Sequence, residues 1–171
     1  VQKSKGNKNL LVFFDNYGQD FAKNVLNLSI GDAVTCSNFV GELLDYAVFK
    51  GFKSILLIGH SGKLVKLSQG VMNTHSKYAD CRTDILALYA MFEGAPKDIG
   101  LEIAGALTTD EAVKILKREE LDKAVLQKIN ERIEFYMQQR VHGRIKTAAL
   151  MFSNVHGVLG KTRSAEELIE L

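Results

Sequence analysis

A chain of 171 residues, 46% hydrophobic and 25% charged, is long enough to bury a sizeable core and short enough to do so as one domain. Its formal net charge of +2 supplies no broad basic face, which sets nucleic acid aside as a partner. No apolar run approaches the roughly 20 residues of a membrane span, and the opening V-Q-K-S-K-G-N-K-N lacks the apolar core of a signal peptide, so a soluble, cytoplasmic protein is expected.

Residues 1–8 are basic and polar and read as a linker or frayed terminus, with a single α/β domain over 9–171. The chain starts on Val1 and runs at once into a strand, which suggests a fragment cut from a longer protein at a domain boundary. The apolar run at 10–14 is the first strand; Asp15, Asn16 and Gly18 form a turn, and Phe21, Val25 and Leu28 follow at helical spacing. Residues 33–36 suit a short strand, and Ser37 or Asn38 is placed to cap a helix carrying Val40, Leu43, Leu44, Ala47 and Val48, which Gly51 ends.

The next stretch, 54–82, concentrates the chemistry. Residues 55–58 are an unbroken apolar run of the kind that forms a strand buried on both faces. Gly59-His60-Ser61-Gly62-Lys63 turns the chain into a helix begun by Leu64, Val65 and Leu67, so its polar residues fall at the strand's carboxyl end, where open α/β sheets bind ligands. Beyond Gly70 come Asn73, Thr74, His75 and Ser76, then Asp80 and Arg82 at the start of another helix.

That helix carries Ile85, Leu86, Leu88, Tyr89 and Phe92 and stops at Gly94 and Pro96; a short helix or turn over 99–103 follows. Thr109 is expected to cap the next helix, with Asp110 and Glu111 suiting its dipole. Leu121, Val125, Ile129, Ile133 and Met137 mark a long amphipathic helix, residues 147–152 a last buried strand, 153–157 its loop, and Ser164 the cap of a closing helix. Strands alternating with helices predict an α/β fold, a Rossmann-like three-layer domain with a mostly parallel sheet. Cys36 and Cys81 form no C-x-x-C pair and are too few for a disulfide framework or a zinc site, so reduced, half-buried thiols are expected.

Two motifs of known chemistry nearly fit. The nucleophile elbow G-x-S-x-G would need glycine at Lys63, and the P-loop G-x-x-x-x-G-K-[ST] would need glycine at Leu57 and a hydroxyl at Leu64. A hydrolase acting through Ser61 or a nucleotide-binding protein is therefore a weak rival. His75 and Asp80 lack a third partner at metal-ligand spacing, and no metal is expected. Taken together, S-N-F-V-G (37–41), L-L-I-G-H-S-G-K-L-V-K-L (56–67), N-T-H-S-K-Y-A-D-C-R (73–82) and T-T-D-E-A (108–112) resemble, in this order and spacing, the carboxyl-terminal half of the CbiD family. These are the cobalt-precorrin-5B C(1)-methyltransferases of anaerobic cobalamin biosynthesis. The chain departs from them at Asp15-Asn16, where Gly-Asn is frequent, and at Ser61, where proline is common.

The resemblance implies S-adenosylmethionine as methyl donor and a cobalt-containing tetrapyrrole as acceptor, methylated at ring carbon C1. It also implies an amino-terminal domain of the same enzyme as partner. On this basis Asn16, Gly18, Ser37, Asn38, Gly59 and Gly62 are expected to bound the donor's pocket, while Lys63, Asn73, Thr74, His75, Asp80 and Arg82 face the macrocycle. Lys63, Lys66, Arg82 and Arg163 can pair with its carboxylates, or equally with surface acids such as Asp80 or Asp84. His75 and His60 are the candidate catalytic residues, as general bases. Two other readings stand beside this one: a non-catalytic module that binds donor or corrinoid without turnover, and a homo-oligomerisation domain whose polar loops meet a second copy.

Overall fold

The computed structural model describes residues 8–26, 31 and 33–169. Among them the chain forms five strands and eight helices: β1 (Asn9–Phe13), α1 (Asn16–Asn24), β2 (Val34–Thr35), α2 (Val40–Lys50), β3 (Ser54–His60), α3 (Ser61–Leu67), α4 (Arg82–Phe92), α5 (Lys97–Ala104), α6 (Thr109–Arg118), α7 (Asp122–Arg140), β4 (Lys146–Ser153), β5 (Gly157–Lys161) and α8 (Ala165–Ile169). The strands make one sheet in the order β2-β1-β3-β4-β5. The first three pairings are parallel and β4–β5 is antiparallel, which confirms the expected mostly parallel α/β architecture.

Why β1, β3 and β4 sit inside is plain from their residues. Each is apolar at successive positions, and a strand covered on both faces has no use for a polar side. In register, Leu10 lies beside Ile55 and Val12 beside Leu57, and Leu57 lies beside Ala149. The side chains of these residues join Leu44, Leu64, Ile85, Leu116, Val125 and Ile133 in one core with α2 to α7. The other face, with Phe13, Leu56, Ile58, Leu150 and Phe152, packs on Phe21 and Ala22 of α1 and Ala165 of α8. Phe21 stacks on Phe152 at 4.2 Å. Helices therefore cover the sheet on both sides, in three layers.

Several local expectations give way to tertiary contacts. Ser37 and Asn38 do not cap α2; Ser37 has a positive φ of 52°, and the first amides of the helix, Val40 and Gly41, both donate to the carbonyl of Met72 in the 71–81 loop (3.1 and 3.2 Å). Thr108, not Thr109, caps α6, its hydroxyl accepting from Glu111 N–H at 3.1 Å. Ser164 directs its hydroxyl to Glu134 Oε1 of α7 (3.2 Å). Val25 is exposed beyond the end of α1, and Leu28 lies outside the described residues. Strand β5 stands where no strand was expected beyond the 153–157 turn, because G-V-L-G-K is short and carries two glycines. Gly51, by contrast, ends α2 in the left-handed conformation (φ 69°) that its lack of Cβ permits.

Both cysteines are free, and Cys36 is buried, which pushes its thiol up to about 11. At pH 8 about one Cys36 thiol in a thousand is then ionised. Alkylation of Cys36 by iodoacetamide in the folded chain is accordingly expected to be slow at pH 8, to accelerate about tenfold per pH unit as pH approaches 11, and to become fast on unfolding. Peptide mapping of the labelled chain checks this; rapid labelling of folded Cys36 at pH 8 would contradict it.

Candidate functional site

The strand order determines where a ligand can sit. From β1 the chain moves outward to β2, then returns past β1 to place β3 on its other side, so the sheet's winding reverses between β1 and β3. Helices α1 and α2 leave on opposite faces. A crevice opens at such a point, outside the carboxyl ends of the strands. Here it is a cleft of about 540 Å³.

Its lining comes from successive strand ends. Asp15 and Tyr17 follow β1, Asn38 follows β2, His60 ends β3 with Gly62, Lys63 and Lys66 after it, and Asn154 follows β4; Thr74, His75, Ser76 and Arg82 close it from the 71–81 loop and the start of α4. A larger groove of about 620 Å³ runs between α7 and β5, and Arg163 lies there, away from the cleft. Size alone would favour that groove, but the chemistry favours the cleft. Both are lined by cations, but only the cleft lies at the carboxyl ends of the parallel strands and gathers the residues of the two most distinctive sequence stretches.

The 71–81 loop has no regular structure, yet it is tied down from several sides. Thr74, buried, donates through Oγ1 to Asn38 Oδ1 (3.1 Å), and Thr74 N–H donates to the Asn38 carbonyl (3.0 Å). Lys66, only 2% exposed, reaches out of α3 and donates through Nζ to the carbonyls of Thr74 (3.0 Å) and Ala79 (2.7 Å). Burial pushes the Lys66 ammonium below its ordinary pKa, and the nearby Arg82 charge adds to this. Asn73 accepts from His75 N–H, and His75 Nδ1 accepts from Lys77 N–H, each at 3.2 Å.

The other two cations of the cleft have acids beside them. Lys63 Nζ is 3.7 Å from Asp15 Oδ2 and sits over the Phe14 ring, and Arg82 Nε donates to Asp80 Oδ1 at 2.8 Å. The Arg82 pairing with Asp80 is one of the alternatives the sequence left open, and it leaves the guanidinium's other N–H groups available. Pairs as exposed as these contribute little to stability. Their effect is to orient the cations.

Behind the cleft, the first turns of α3 and α6 meet. Ser61 Oγ and Thr109 Oγ1 are 3.0 Å apart and buried, and Ser61 is 1% exposed. A serine so enclosed, with a threonine hydroxyl and not a base as its partner, lacks the arrangement of an activated nucleophile, which counts against the hydrolase reading. The contact also places Asp110 beside His60, Oδ2 to Nε2 4.0 Å. His60 Nδ1 accepts from Gly62 N–H (3.2 Å) and its ring meets Phe152 edge-on.

Of the residues expected around the donor, only Asn38 and Gly62 line the cleft; they meet there Lys63, Thr74, His75 and Arg82, expected to face the macrocycle, and His60, a candidate base. Gly18 and Gly59 lie behind it: a Cβ on Gly18 would stand 3.1 Å from the Phe13 ring, and one on Gly59 would stand 2.4 Å from the Phe14 ring. Their role here is close approach of helix, strand and ring. Asn16 and Ser37 are exposed outside the lining, Asn73 bonds within its own loop, and Asp80 acts on Arg82. Tyr17, Ser76, Asn154 and Asp110 were not among the expected site residues. The first three follow strand ends or lie within a stretch already singled out; Asp110 had been read only as a helix-dipole acid. Among the described residues no three of His, Cys, Asp and Glu gather closely enough to hold a metal ion, and no helix is long and apolar enough to cross a membrane.

Comparison with known proteins places the chain among relatives. The family model described as CbiD, C-terminal domain, matches residues 73–163. The chain is 42% identical over 156 residues to a cobalt-precorrin-5B C(1)-methyltransferase of Ruminiclostridium cellulolyticum, covering 91% of this chain and 41% of that protein. It is 37% identical over 160 residues to the protein of the same name from Methanocaldococcus jannaschii, covering 94% and 44%, and 35% identical over 173 residues to that of Photorhabdus laumondii, covering 99% and 46%. The chain thus spans less than half the length of these curated relatives. No solved structure matches it.

Proposed function

The chain belongs to the CbiD family, matching its C-terminal domain, and from that premise we propose that it takes part in methyl transfer to C1 of cobalt-precorrin-5B in cobalamin biosynthesis, with S-adenosylmethionine as donor. The observation that carries this reading is the cation-lined cleft at the β1/β3 reversal, which gathers residues from three of the stretches that resemble the family. Its volume of about 540 Å³ is of the size small molecules occupy. The acceptor and the donor both carry carboxylates, which suit Lys63 and the free edge of Arg82, and Tyr17 offers a ring on which a planar group can lie.

The donor supplies an electrophilic methyl group whose bond to sulfur breaks as the new carbon bond forms, the electron pair staying on sulfur. For such an in-line displacement the protein contributes alignment and exclusion of water. Lys63 and Arg82, oriented by Asp15 and Asp80, bind and position carboxylates. The 71–81 loop, held by Lys66 and Asn38, forms the wall that keeps the cleft shaped. An amino-terminal domain of the same enzyme would complete the site, in keeping with the length of the relatives.

Calorimetric titration of the chain with S-adenosylhomocysteine tests the donor assignment. Saturable one-to-one binding is expected, and Arg82→Ala is expected to weaken binding of a polycarboxylate tetrapyrrole about tenfold while the fold is kept. No binding of S-adenosylhomocysteine by a chain shown to be folded would sink the donor site. Tetrapyrrole binding in that same sample would leave the binding-module reading in its place.

A further inference from the structure

Backbone N–H groups can only donate, so each one that faces an imidazole nitrogen determines the ring's tautomer. Gly62 N–H is 3.2 Å from His60 Nδ1, and Lys77 N–H is 3.2 Å from His75 Nδ1. In the neutral rings both Nδ1 atoms must therefore carry the lone pair and both Nε2 atoms the proton. His156, at the same end of the sheet, reaches the same tautomer from the other side: its Nε2 is 3.0 Å from the carbonyl oxygen of Asp110, which can only accept.

A ring in this state has no lone pair at Nε2. To act there as a base it would have to abandon its backbone bond, and for His60 that bond caps α3. The nearest acid to His60 Nε2 is Asp110 Oδ2 at 4.0 Å, beyond hydrogen-bond reach. Among the described residues neither His60 Nε2 nor His75 Nε2 has a hydrogen-bond partner, and both side chains line the cleft. With Lys63 and Arg82, whose acids are already engaged on one side, the cleft offers chiefly donors and cations.

The geometry points to His60 and His75 as fixed Nε2–H donors to anionic oxygens of the ligand, carboxylates in particular, rather than as general bases. A carboxylate accepts from several such donors at once, and charge-assisted bonds are the stronger ones. The inference deepens the proposed function and rests on the cleft's being the ligand site. It assigns no proton-abstracting role to either histidine.

Long-range proton–nitrogen correlation spectra of the nitrogen-15-labelled chain at pH 8 are expected to show the Nε2–H pattern for both rings. An Nδ1–H pattern for either would overturn the inference, whatever binds. Against an octacarboxylate porphyrin, His75→Gln, which keeps an N–H near the Nε2 position, is expected to bind within about threefold of the unchanged chain, and His75→Asn, which does not, about tenfold more weakly. Equal loss in both variants would also overturn it. If neither porphyrin nor S-adenosylhomocysteine binds, yet both rings are Nε2–H and their Nε2 signals move on titration with citrate, the donor role stands and the proposed function falls.

Discussion

Replacing Lys66 by alanine is expected to lower the stability of the fold by about 3 kcal/mol and to weaken ligand binding in the cleft about tenfold or more. The reason lies in what its ammonium holds. The carbonyls of Thr74 and Ala79 both accept from Lys66 Nζ, and both belong to a loop without regular structure. With the lysine gone, two carbonyls lose a charged partner and the stem leaves a void among buried neighbours. His75 and Ser76, between those two anchor points, would lose their positions at the cleft wall.

Lys66→Met separates the two consequences. It keeps the length and apolar packing of the stem but donates nothing, and the ammonium it removes is one that burial already disfavours. Global stability is therefore expected to suffer less than in the alanine variant. Hydrogen exchange at Thr74 and Tyr78 N–H, which bond to the Asn38 and His75 carbonyls, should still accelerate about tenfold. Unaltered exchange at those amides in Lys66→Met would show that the loop is held by something else.

The second large effect is expected at Gly59. Its ideal Cβ would come within 2.4 Å of two carbons of the Phe14 ring and 3.2 Å of Leu64 Cγ. Phe14 is buried against the core, with the Lys63 ammonium on its face, so the ring has little room to move. Gly59→Ala is accordingly expected to cost about 2 kcal/mol or more. A denaturant titration would measure it. Gly62, only a few residues on and indistinguishable in the sequence, should behave in the opposite way: a Cβ there has nothing nearer than His60 Nδ1 at 3.5 Å. Within the first turn of α3, Gly62→Ala is expected to leave stability unchanged or raise it by about 1 kcal/mol. Equal destabilisation by the two alanines would refute this account of the glycines.

The contrast between Gly59 and Gly62 shows how far the sequence could be read. G-H-S-G-K after an apolar run identified a strand end and a turn, because a two-sided buried strand and a glycine leave signals that are local. Which glycine met a phenylalanine ring depended on Phe14, one strand away, and no local pattern contains that. The caps are similar. Gly51 was legible as the end of α2, since a left-handed residue is a property of one position. The start of α2 was not, because its amides are satisfied by Met72, from a loop beyond β3.

By itself the sequence determined the alternation of strands and helices, the burial of β1, β3 and β4, the long α7, and the stretches 56–67 and 73–82 in which the site's residues lie. These follow from periodicity and composition, which act between near neighbours in the chain. Only the tertiary structure decided that the winding reverses between β1 and β3, which residues of those stretches face the cleft, and that Lys66 turns inward to hold the loop. It also set Asp110 beside His60 through the Ser61–Thr109 contact, and it fixed the tautomers of the histidines by the amides that face them. Each of these joins groups far apart in the chain or turns on the direction of a single hydrogen bond, and neither leaves a periodic trace in the order of the residues.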